Sequence, residues 1–307
     1  MMRKWFFLLL ILFTGFGLGF SYKQVREKVK IKKRADQVRI ASLSHPILED
    51  KPFVIITMSY NNSAYCEKNL LSILEQDYKN YRVFYIDDCS TDDTFQKVQA
   101  FLSYYDKDKR VTLIRNEKNK GAMENLYQTV HRCQNNEIVV VVDGDDFLSS
   151  SKVLSRLNGY YANPEVWLTY GDYVEYPSYD TRKERKLGAC LPLNQKMLKE
   201  RGARNLAFIT SHLRTFYAGL FKRIKHADFL YDGDFFQMGS DVASMIPMVE
   251  LAGDHAYFIN DILYIYNTEN PASDYKKDLH KQSSIEKYVR SLPPYPFLKC
   301  HPKDDFE

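Results

Sequence analysis

The chain has 307 residues, 45% of them hydrophobic and 14% aromatic, which is enough for one large domain or two small ones with a sizeable core. Its net charge of +4 is unevenly spread: residues 1–34 hold nine of the 43 basic residues and one of the 39 acidic ones, so the rest of the chain carries a net charge of −4. An acidic body argues against a nucleic-acid-binding protein, and five scattered cysteines without a CxxC pair argue against a disulfide framework or a thiolate zinc site.

The first predicted element is an apolar segment at the N-terminus. Sixteen uncharged residues run from Trp5 to Phe20, and the next two residues extend the segment to the lower limit of a membrane span, roughly 17 residues. We therefore expect a single-pass membrane anchor over residues 1–22, with a cleavable signal peptide as the alternative. The basic residues that follow predict, by the positive-inside tendency, that the body of the protein lies in the cytoplasm. Residues 23–52 are expected to be a basic tether.

Residues 53–150 show a regular alternation of strand and helix patterns. Short runs rich in β-branched and aromatic residues predict strands at 53–58, 81–87, 111–115 and 138–142. Apolar residues at helical spacing predict helices at 63–76, 91–105 and 121–133. This alternation is typical of an α/β fold in which helices cover both faces of a parallel sheet. Because ligands bind beyond the carboxyl ends of such strands, we expect one ligand-binding surface from the loops at 58–62, 87–91, 115–121 and 143–147.

The pattern is less regular after residue 150. It predicts a helix at 151–162, a strand at 166–173, a strand at 215–223 and a helix at 239–253. The Pro-, Lys- and Asp-rich residues 271–307 are expected to be a surface tail. The predicted organisation is thus a first half at 53–150, a second half at 151–275 and a C-terminal tail at 276–307.

Two acidic clusters lie in the predicted loops. Asp143, Asp145 and Asp146 place three carboxylates within four residues, and such groups repel one another unless a cation lies between them. Mg²⁺ and Mn²⁺ prefer oxygen ligands of this kind, whereas the simpler alternative is an exposed turn. Asp87 and Asp88 end a strand, where an aspartate can cap the next helix or accept a hydrogen bond from a ligand. Because both clusters are expected at one edge of the sheet, we favour a site for a metal ion and a nucleotide.

Three motifs stand in order along the chain: "ITMSYNNSAYCEKNLLSILEQDYKNYRVFYIDDCSTDDT", "KNKGAMENLYQTV" and "VVDGDDFL". Together they resemble the family 2 glycosyltransferases of the GT-A fold, over about residues 53–270. The resemblance implies a Rossmann-like, mostly parallel sheet flanked by helices. It also implies a nucleotide-sugar donor, usually a UDP-sugar, and a Mg²⁺ or Mn²⁺ ion held by a DxD motif. Residues 53–150 would then be the nucleotide-sugar-binding half and residues 151–275 the acceptor-binding and catalytic half.

The resemblance implies roles for residues of the nucleotide-sugar-binding half. Ser59 and Tyr60 match the segment that packs on the uracil ring, and Asn61 follows in the same turn. Asp88 matches the aspartate that binds uracil. Lys120 belongs to a loop that often reaches the nucleotide.

The DxD motif and the catalytic base are implied in the same way. Asp143 and Asp145 match the DxD motif, with Asp143 expected at the nucleotide sugar and the metal ion. Asp145 is the principal candidate for a direct metal ligand, and Asp146 is a close alternative. Most well-studied members invert the anomeric centre, so a carboxylate must take the proton of the acceptor hydroxyl group. Asp241 is the candidate base, with a helix N-cap as the alternative.

The sequence leaves several points open. His212 is a candidate for contact with the acceptor or the metal, and Arg214 for pairing with a diphosphate, with structural roles as the alternatives. We predict a non-processive, metal-dependent enzyme that moves a sugar from a UDP-sugar to a glycan or lipid-linked acceptor, such as lipopolysaccharide. A sugar-1-phosphate nucleotidyltransferase and a non-catalytic carbohydrate-binding module are the alternatives.

Overall fold

The computed structural model describes residues 49–179, 190–271 and 279–304. The predicted membrane anchor at 1–22 lies outside these residues, and so does the predicted tether except for 49–52. Within the three described ranges, no helix is both long enough and apolar enough to cross a membrane. The anchor and the cytoplasmic location of the body therefore stay predictions.

Ten strands are found in the described residues, and eight of them form one mixed sheet. The strands are β1 (Phe53–Ser59), β2 (Tyr81–Asp87), β3 (Val111–Arg115), β4 (Ile138–Asp143), β5 (Phe147–Leu148), β6 (Leu168–Tyr176), β7 (Arg214–Tyr217), β8 (Leu230–Tyr231), β9 (Asp234–Phe235) and β10 (Ala256–Asn267). The order across the large sheet is β3-β2-β1-β4-β7-β6-β10-β5, and β8 and β9 form a separate hairpin.

The first four strands of the chain are parallel, as the sequence predicts, and they form one side of the sheet. On the other side, β7 runs antiparallel to both β4 and β6, β10 runs parallel to β6, and β5 closes the edge antiparallel to β10. The sheet is therefore mixed and mostly parallel, and the prediction of an α/β fold of the GT-A type is confirmed in this form.

Helices flank the sheet. In the described residues they are α1 (Cys66–Leu74), α2 (Thr94–Tyr105), α3 (Gly121–Val130), α4 (Val153–Tyr161), α5 (Gln195–Arg201), α6 (Ala218–Phe221), α7 (Ser240–Ala252) and α8 (Leu279–Ser291). The apolar run of β4 is completely buried from Ile138 to Val142, because this strand lies near the centre of the sheet and is covered on both faces. On one face, Tyr85 of β2 packs with residues of α1 and α2, namely Cys66, Leu70 and Val98.

Two sequence-based predictions about the residues after 150 are wrong. The strand predicted at 215–223 ends at Tyr217, and Ala218–Phe221 form the short helix α6. All four residues of α6 are buried, and a short run of buried apolar residues does not distinguish a strand from a helix.

The prediction of a surface tail at 271–307 is wrong for residues 279–291, which form α8. Its residues Ile285 and Val289 are buried, and they lie four residues apart, on one side of the helix. Further on, Pro302 is buried against Gly219, where a larger side chain would meet the backbone of Pro302. The segment is polar overall, so its amino-acid composition does not indicate these few apolar contacts.

Candidate active site

The carboxyl ends of β1, β2 and β4 meet at one edge of the sheet, as the sequence predicts. In the strand register, Ser59 lies beside Asp87, and Met58 lies beside Asp143. Both acidic clusters therefore follow neighbouring positions of adjacent strands. This edge is the ligand-binding edge of an open α/β sheet.

Gly144 brings the acidic loop close to the turn after β1. Its backbone N–H donates to the carbonyl oxygen of Met58 at 3.0 Å. A Cβ atom at this position would lie 2.7 Å from Cβ of Ser59 and 2.8 Å from both the Met58 carbonyl oxygen and Nδ2 of Asn62. Glycine is thus required here by the close approach of two backbones, and this approach sets the position of the flanking aspartates.

The turn after β1 contains three of the predicted nucleotide contacts. Ser59 is buried, and its hydroxyl oxygen accepts a hydrogen bond from Nδ2 of Asn62 at 3.2 Å. Asn61 has a φ of 53°, and its Oδ1 accepts from the backbone N–H of Thr91 at 2.8 Å, which ties the β1 turn to the β2 turn. Tyr60 is 37% exposed at the same edge. The ring of Tyr60 is therefore accessible, whereas the other two side chains hold the turn together.

Asp88 is buried and organises the loop before α3. Its Oδ1 accepts hydrogen bonds from Nδ2 of Asn116 at 2.7 Å and from the backbone N–H of Lys120 at 2.9 Å. Its Oδ2 accepts from the backbone N–H of Gly121 at 2.8 Å. Two of these donors are the residues at the N-terminus of α3, where the helix dipole favours a negative charge. The predicted contact of Asp88 with uracil would have to be made in addition to these three bonds.

The side chain of Lys120 is directed along its own helix. Its Nζ donates to Oε1 of Gln128 at 3.0 Å and lies 3.9 Å from Oε1 of Glu124. The backbone of Lys120 is bound to Asp88, so the residue belongs to the predicted loop. Its contact with a nucleotide stays a prediction.

Asp143 is paired with a buried arginine. Nη2 of Arg214 donates to Oδ1 and Oδ2 of Asp143 at 3.0 and 2.9 Å. Arg214 lies beside Val141 in the register of β7 and β4, and Val141 precedes Asp143 by two residues, so both side chains lie on the same face of the sheet. The side chain of Arg214 is 4% exposed, whereas that of Asp143 is 34% exposed. The pair therefore places a fixed positive charge beneath a carboxylate that reaches solvent.

The neighbouring aspartates have different surroundings. Asp145 is half-buried, and its Oδ2 accepts from Nδ2 of Asn270 at 2.7 Å. Asp146 is buried, its Oδ2 accepts from the hydroxyl group of Tyr264 at 2.7 Å, and its Oδ1 accepts from the backbone N–H of Asn267 at 2.7 Å. Two carboxylates that look alike in the sequence are thus half-buried and fully buried, respectively.

The electrostatic surroundings of Asp146 are unfavourable for its charged form. Burial raises the pKa of Asp146 well above its ordinary value, and the negative charges of Asp145 and Asp143 raise it further. Burial likewise raises the pKa of Tyr264, together with the charge of Asp146, so the phenol stays protonated and donates to this carboxyl group. A cation beside these groups would offset the repulsion between the carboxylates.

His212 joins two of the aspartates in a group with the chemistry of a metal site. One ligand atom each from Asp143, Asp146 and His212 lie within 4.8 Å of one another. Carboxylate oxygens suit Mg²⁺ and Mn²⁺, and histidine is the commonest side-chain ligand of metal ions in proteins. The donor atoms therefore fit the divalent cation that the sequence analysis implies. Asp145, the principal candidate from the sequence, does not belong to this group within the described residues.

Asp241 lies in the first turn of α7. The N-cap position is occupied by Gly239, with a φ of 69°, and Oδ1 of Asp241 accepts from the adjacent backbone N–H of Val242 at 2.8 Å. Burial raises the pKa of Asp241, while the positive charge of Arg214 lowers it and the charge of Asp143 raises it again. Asp241 is thus not the N-cap residue, and it lies within electrostatic range of Arg214 and Asp143.

Several residues of the site were not predicted from the sequence. Tyr264, Asn267 and Asn270 bind the acidic loop from the end of β10 and the residues after it. They reach it because Tyr264 lies beside Leu148 and Ile265 beside Phe147 in the pairing of β10 with β5. The polar residues of "YNTEN", 266–270, were the available signal, since they follow a strand-like run.

The fold and the acidic edge define a GT-A-type α/β protein, and comparison with known proteins identifies the family. The model of "Glycosyl transferase family 2" matches residues 54–227, which is more than half of the chain. The chain therefore belongs to glycosyl transferase family 2, and the sequence-based prediction of a family 2 glycosyltransferase is confirmed. The match includes the candidates in the first half and His212 and Arg214, whereas Asp241 lies beyond it.

Individual relatives are similar over part of the chain. An uncharacterized glycosyltransferase of Haemophilus influenzae is 32% identical over 124 residues, which are 40% of this chain and 48% of that protein. The UDP-Glc:alpha-D-GlcNAc-diphosphoundecaprenol beta-1,3-glucosyltransferase WfgD of Escherichia coli is 29% identical over 126 residues, 41% of this chain and 47% of that protein. The chain thus spans about half the length of these curated relatives.

A solved structure supports the fold. The crystal structure of S. aureus TarS 1-349 in complex with UDP-GlcNAc matches with a TM-score of 0.56 and 17% sequence identity, over 78% of this chain and 65% of that one. At this level of identity the likeness concerns the fold alone.

Proposed function

We propose that the protein transfers a sugar from a UDP-sugar to a hydroxyl group of a lipid-linked glycan. The observation that carries the proposal is the group formed by Asp143, Asp146 and His212 at the carboxyl edge of a family 2 sheet. Two of the similar proteins are described with uridine nucleotides, UDP-Glc for WfgD and UDP-GlcNAc for TarS. These descriptions support a UDP-sugar as the donor for this chain.

The residues of the acidic edge would hold the cation and the donor. Asp143 and Asp146 would hold a Mg²⁺ or Mn²⁺ ion, with Asp145 between them in the same loop. Such an ion neutralises a diphosphate leaving group in this kind of chemistry. The exposed ring of Tyr60 would pack on the base, and Asp88 would hold the loop of Lys120 against the nucleotide.

Asp241 is proposed as the general base. It would accept the proton of the acceptor hydroxyl group while that oxygen bonds to the anomeric carbon and the bond from this carbon to the diphosphate breaks. The attack comes from the side opposite the leaving group, so the configuration is inverted. Arg214 supports the ionised form of Asp241, because its positive charge lowers the pKa of this carboxyl group.

The acceptor is inferred from a relative and from the N-terminus of the sequence. By its name, WfgD transfers glucose to a GlcNAc that is linked to diphosphoundecaprenol. A lipid-linked acceptor agrees with the membrane anchor predicted at 1–22 and with a cytoplasmic catalytic domain. The related possibility of lipopolysaccharide as acceptor shares this location.

A donor panel tests the proposal. Thermal shift of the full chain against UDP-, GDP- and dTDP-sugars with Mn²⁺ should show stabilisation by UDP-sugars above the others. UDP-sugar hydrolysis that requires Mn²⁺ would distinguish the enzyme from a carbohydrate-binding module, which would not turn over the donor. Stabilisation only by GDP- or dTDP-sugars would contradict the proposed donor. Formation of UDP-sugar from UTP and a sugar 1-phosphate would favour a nucleotidyltransferase instead.

A further inference from the structure

We propose that His212 is a nitrogen ligand of the divalent cation, which is held by Asp143, Asp146 and His212, and that Tyr264 positions all three ligands. This inference rests on the proposed function, since it concerns the cation of the same site. It goes beyond the DxD motif, whose residues all lie in one loop, because His212 comes from the segment before β7.

The donor atoms of the three residues lie close together. One oxygen from each of the two aspartates and one ring nitrogen of the histidine lie within 4.8 Å of one another. Nδ1 of His212 lies 3.9 Å from Oδ2 of Asp143. Two ligands that each lie about 2.0–2.2 Å from one ion are at most about 4.4 Å apart, so these donor atoms need to move by only a few tenths of an ångström to share a cation.

Tyr264 contacts every member of the group. Its hydroxyl group donates to Oδ2 of Asp146 at 2.7 Å and accepts from the backbone N–H of Asp143 at 3.1 Å. Its ring stacks on the imidazole of His212, with centroids 4.6 Å apart and an interplanar angle of 4°. One buried side chain thus fixes the carboxyl group of Asp146, the backbone of Asp143 and the imidazole of His212 relative to one another.

Neighbouring rings hold the imidazole of His212 in one orientation. His212 is buried, and besides Tyr264 it stacks on Tyr266 at 5.3 Å and meets the edge of Tyr173 at 5.6 Å. Three aromatic rings therefore restrict rotation of the histidine ring. A ligand held in one orientation loses little conformational entropy when it binds an ion.

The ligand set has a consequence for metal preference. Mg²⁺ favours carboxylate, carbonyl and water oxygens, whereas imidazole is a ligand of the divalent ions of the first transition-metal row. A site with one imidazole should therefore prefer Mn²⁺ to Mg²⁺ more strongly than a site made only of aspartates. Replacing His212 by an oxygen ligand should reduce this preference.

The test uses direct observation of bound Mn²⁺ rather than activity. Pulsed electron paramagnetic resonance of the full chain with Mn²⁺ alone should detect a directly bound ¹⁴N nucleus. This signal should disappear when the protein is produced with ¹⁵N-labelled histidine, and it should be absent in His212→Ala. The Mn²⁺ dissociation constant of His212→Ala should rise by at least about tenfold.

Two further variants protect the test against misfolding and assign the signal. His212→Asp should keep Mn²⁺ binding without the nitrogen signal and should bind Mg²⁺ relatively better than the wild type does. His131→Ala is the matched control, because His131 is exposed at the end of α3 and should leave the signal unchanged. Tyr264→Phe should keep the ring stack but weaken Mn²⁺ binding by about tenfold, since it lacks the hydroxyl group.

The outcomes separate this inference from the proposed function. Bound Mn²⁺ without a histidine nitrogen in the wild type, or with the nitrogen signal retained in His212→Ala, would overturn the role of His212 and leave a metal-dependent transferase standing. A wild-type protein that binds no Mn²⁺, yet hydrolyses UDP-sugar in the presence of a chelator, would overturn both the ligand set and the metal dependence of the proposed function.

Discussion

Arg214 and Asp143 form a pair in which one guanidinium nitrogen, Nη2, donates to both carboxylate oxygens, at 3.0 and 2.9 Å. The arginine is buried and the carboxylate is partly exposed, so the positive charge lies on the protein side of the acidic edge. Burial lowers the pKa of Arg214, but the charges of Asp143 and Asp241 outweigh this and raise it. Arg214 therefore links the proposed cation site to the proposed base.

The first prediction concerns Arg214→Gln. Removing a buried partner from an ion pair costs about 3–5 kcal/mol, and we expect about 2–3 kcal/mol here because Asp143 can still be hydrated. Mn²⁺ should restore part of the lost stability, since a cation at the acidic edge would replace the missing charge. Thermal melts with and without Mn²⁺ measure both effects.

Arg82→Gln is the control for this prediction. Arg82 pairs with Glu137 at 2.8 Å, and its side chain is 40% exposed. We expect a loss of no more than about 1 kcal/mol, with no dependence on Mn²⁺. If Mn²⁺ stabilised both variants equally, Arg214 would have no special relation to the cation site.

The second prediction is the acid limb of the pH profile. Asp241 must be ionised to act as a base, and its pKa is raised above the ordinary value of 3.8, first of all by burial. Activity should therefore be lost, as the pH falls, at a higher pH than an ordinary aspartate would give. Because Arg214 lowers this pKa, Arg214→Gln should move the acid limb to still higher pH. The pH dependence of kcat/KM measures the shift.

Asp241→Asn completes this test. It should lower kcat by about 10²–10⁴-fold while UDP-sugar binding is kept. Asp232→Asn is a suitable control, because Asp232 is exposed in the β8–β9 hairpin and has a φ of 51°, which asparagine also tolerates. Transfer by Asp241→Asn at the wild-type rate would exclude Asp241 as the base.

Much of the fold could be predicted from local patterns. The sequence predicts β1 to β4 within one residue at each end, because each is a short apolar run between polar turns, whereas the two-residue strand β5 is not predicted. Their parallel arrangement follows from the helices between them, and it places Asp88 and Asp143 at one edge without further information. The acidic edge was therefore accessible from the sequence.

The distinction between Asp145 and Asp146 was not accessible from the sequence. It arises from Tyr264, which is 118 residues away and reaches Asp146 through the pairing of β10 with β5. His212 joins the group through a stack on the same tyrosine. Such contacts depend on tertiary pairing, whereas a motif reports only neighbours along the chain. The DxD pattern thus indicated the loop that contributes two members of this group, and these are Asp143 and Asp146 rather than Asp143 and Asp145.

The third prediction separates the structural role of Asp88 from its predicted role in uracil binding. Both carboxylate oxygens of Asp88 accept hydrogen bonds, from the backbone N–H groups of Lys120 and Gly121 and from Nδ2 of Asn116. In Asp88→Asn one of these oxygens is replaced by an NH₂ group, which is itself a donor and cannot accept them. A buried donor without an acceptor costs about 1–3 kcal/mol, so the melting temperature should fall. If Asp88 also binds uracil, the Kd for UDP should be higher in Asp88→Asn than in the wild type.

Calorimetry of UDP binding and thermal melts without ligand measure the two roles independently. Asp108→Asn is the control, because Asp108 is exposed and makes only a surface ion pair with Arg110. Asp92 is less suitable, because its side chain accepts hydrogen bonds from Thr94 and Ser63. Asp108→Asn should change neither quantity appreciably. Unchanged stability in Asp88→Asn would contradict the anchoring role that the three hydrogen bonds indicate.

The last prediction concerns Gly144, where the acidic loop approaches the β1 turn. In Gly144→Ala the new methyl group would lie under 3 Å from Cβ of Ser59 and from the carbonyl oxygen of Met58, so two buried backbones must separate. Overpacking of this kind costs about 1–3 kcal/mol, and here it also displaces the aspartates on both sides of Gly144. We expect a lower melting temperature and weaker Mn²⁺ and UDP binding.

Gly159→Ala is the matched control, because Gly159 lies within α4 and a Cβ there meets no atom within 4 Å. It should stabilise the protein by about 0.5–1 kcal/mol and leave ligand binding unchanged. Equal behaviour of the two alanine variants in melts and calorimetry would show that the close approach at Gly144 does not position the acidic loop.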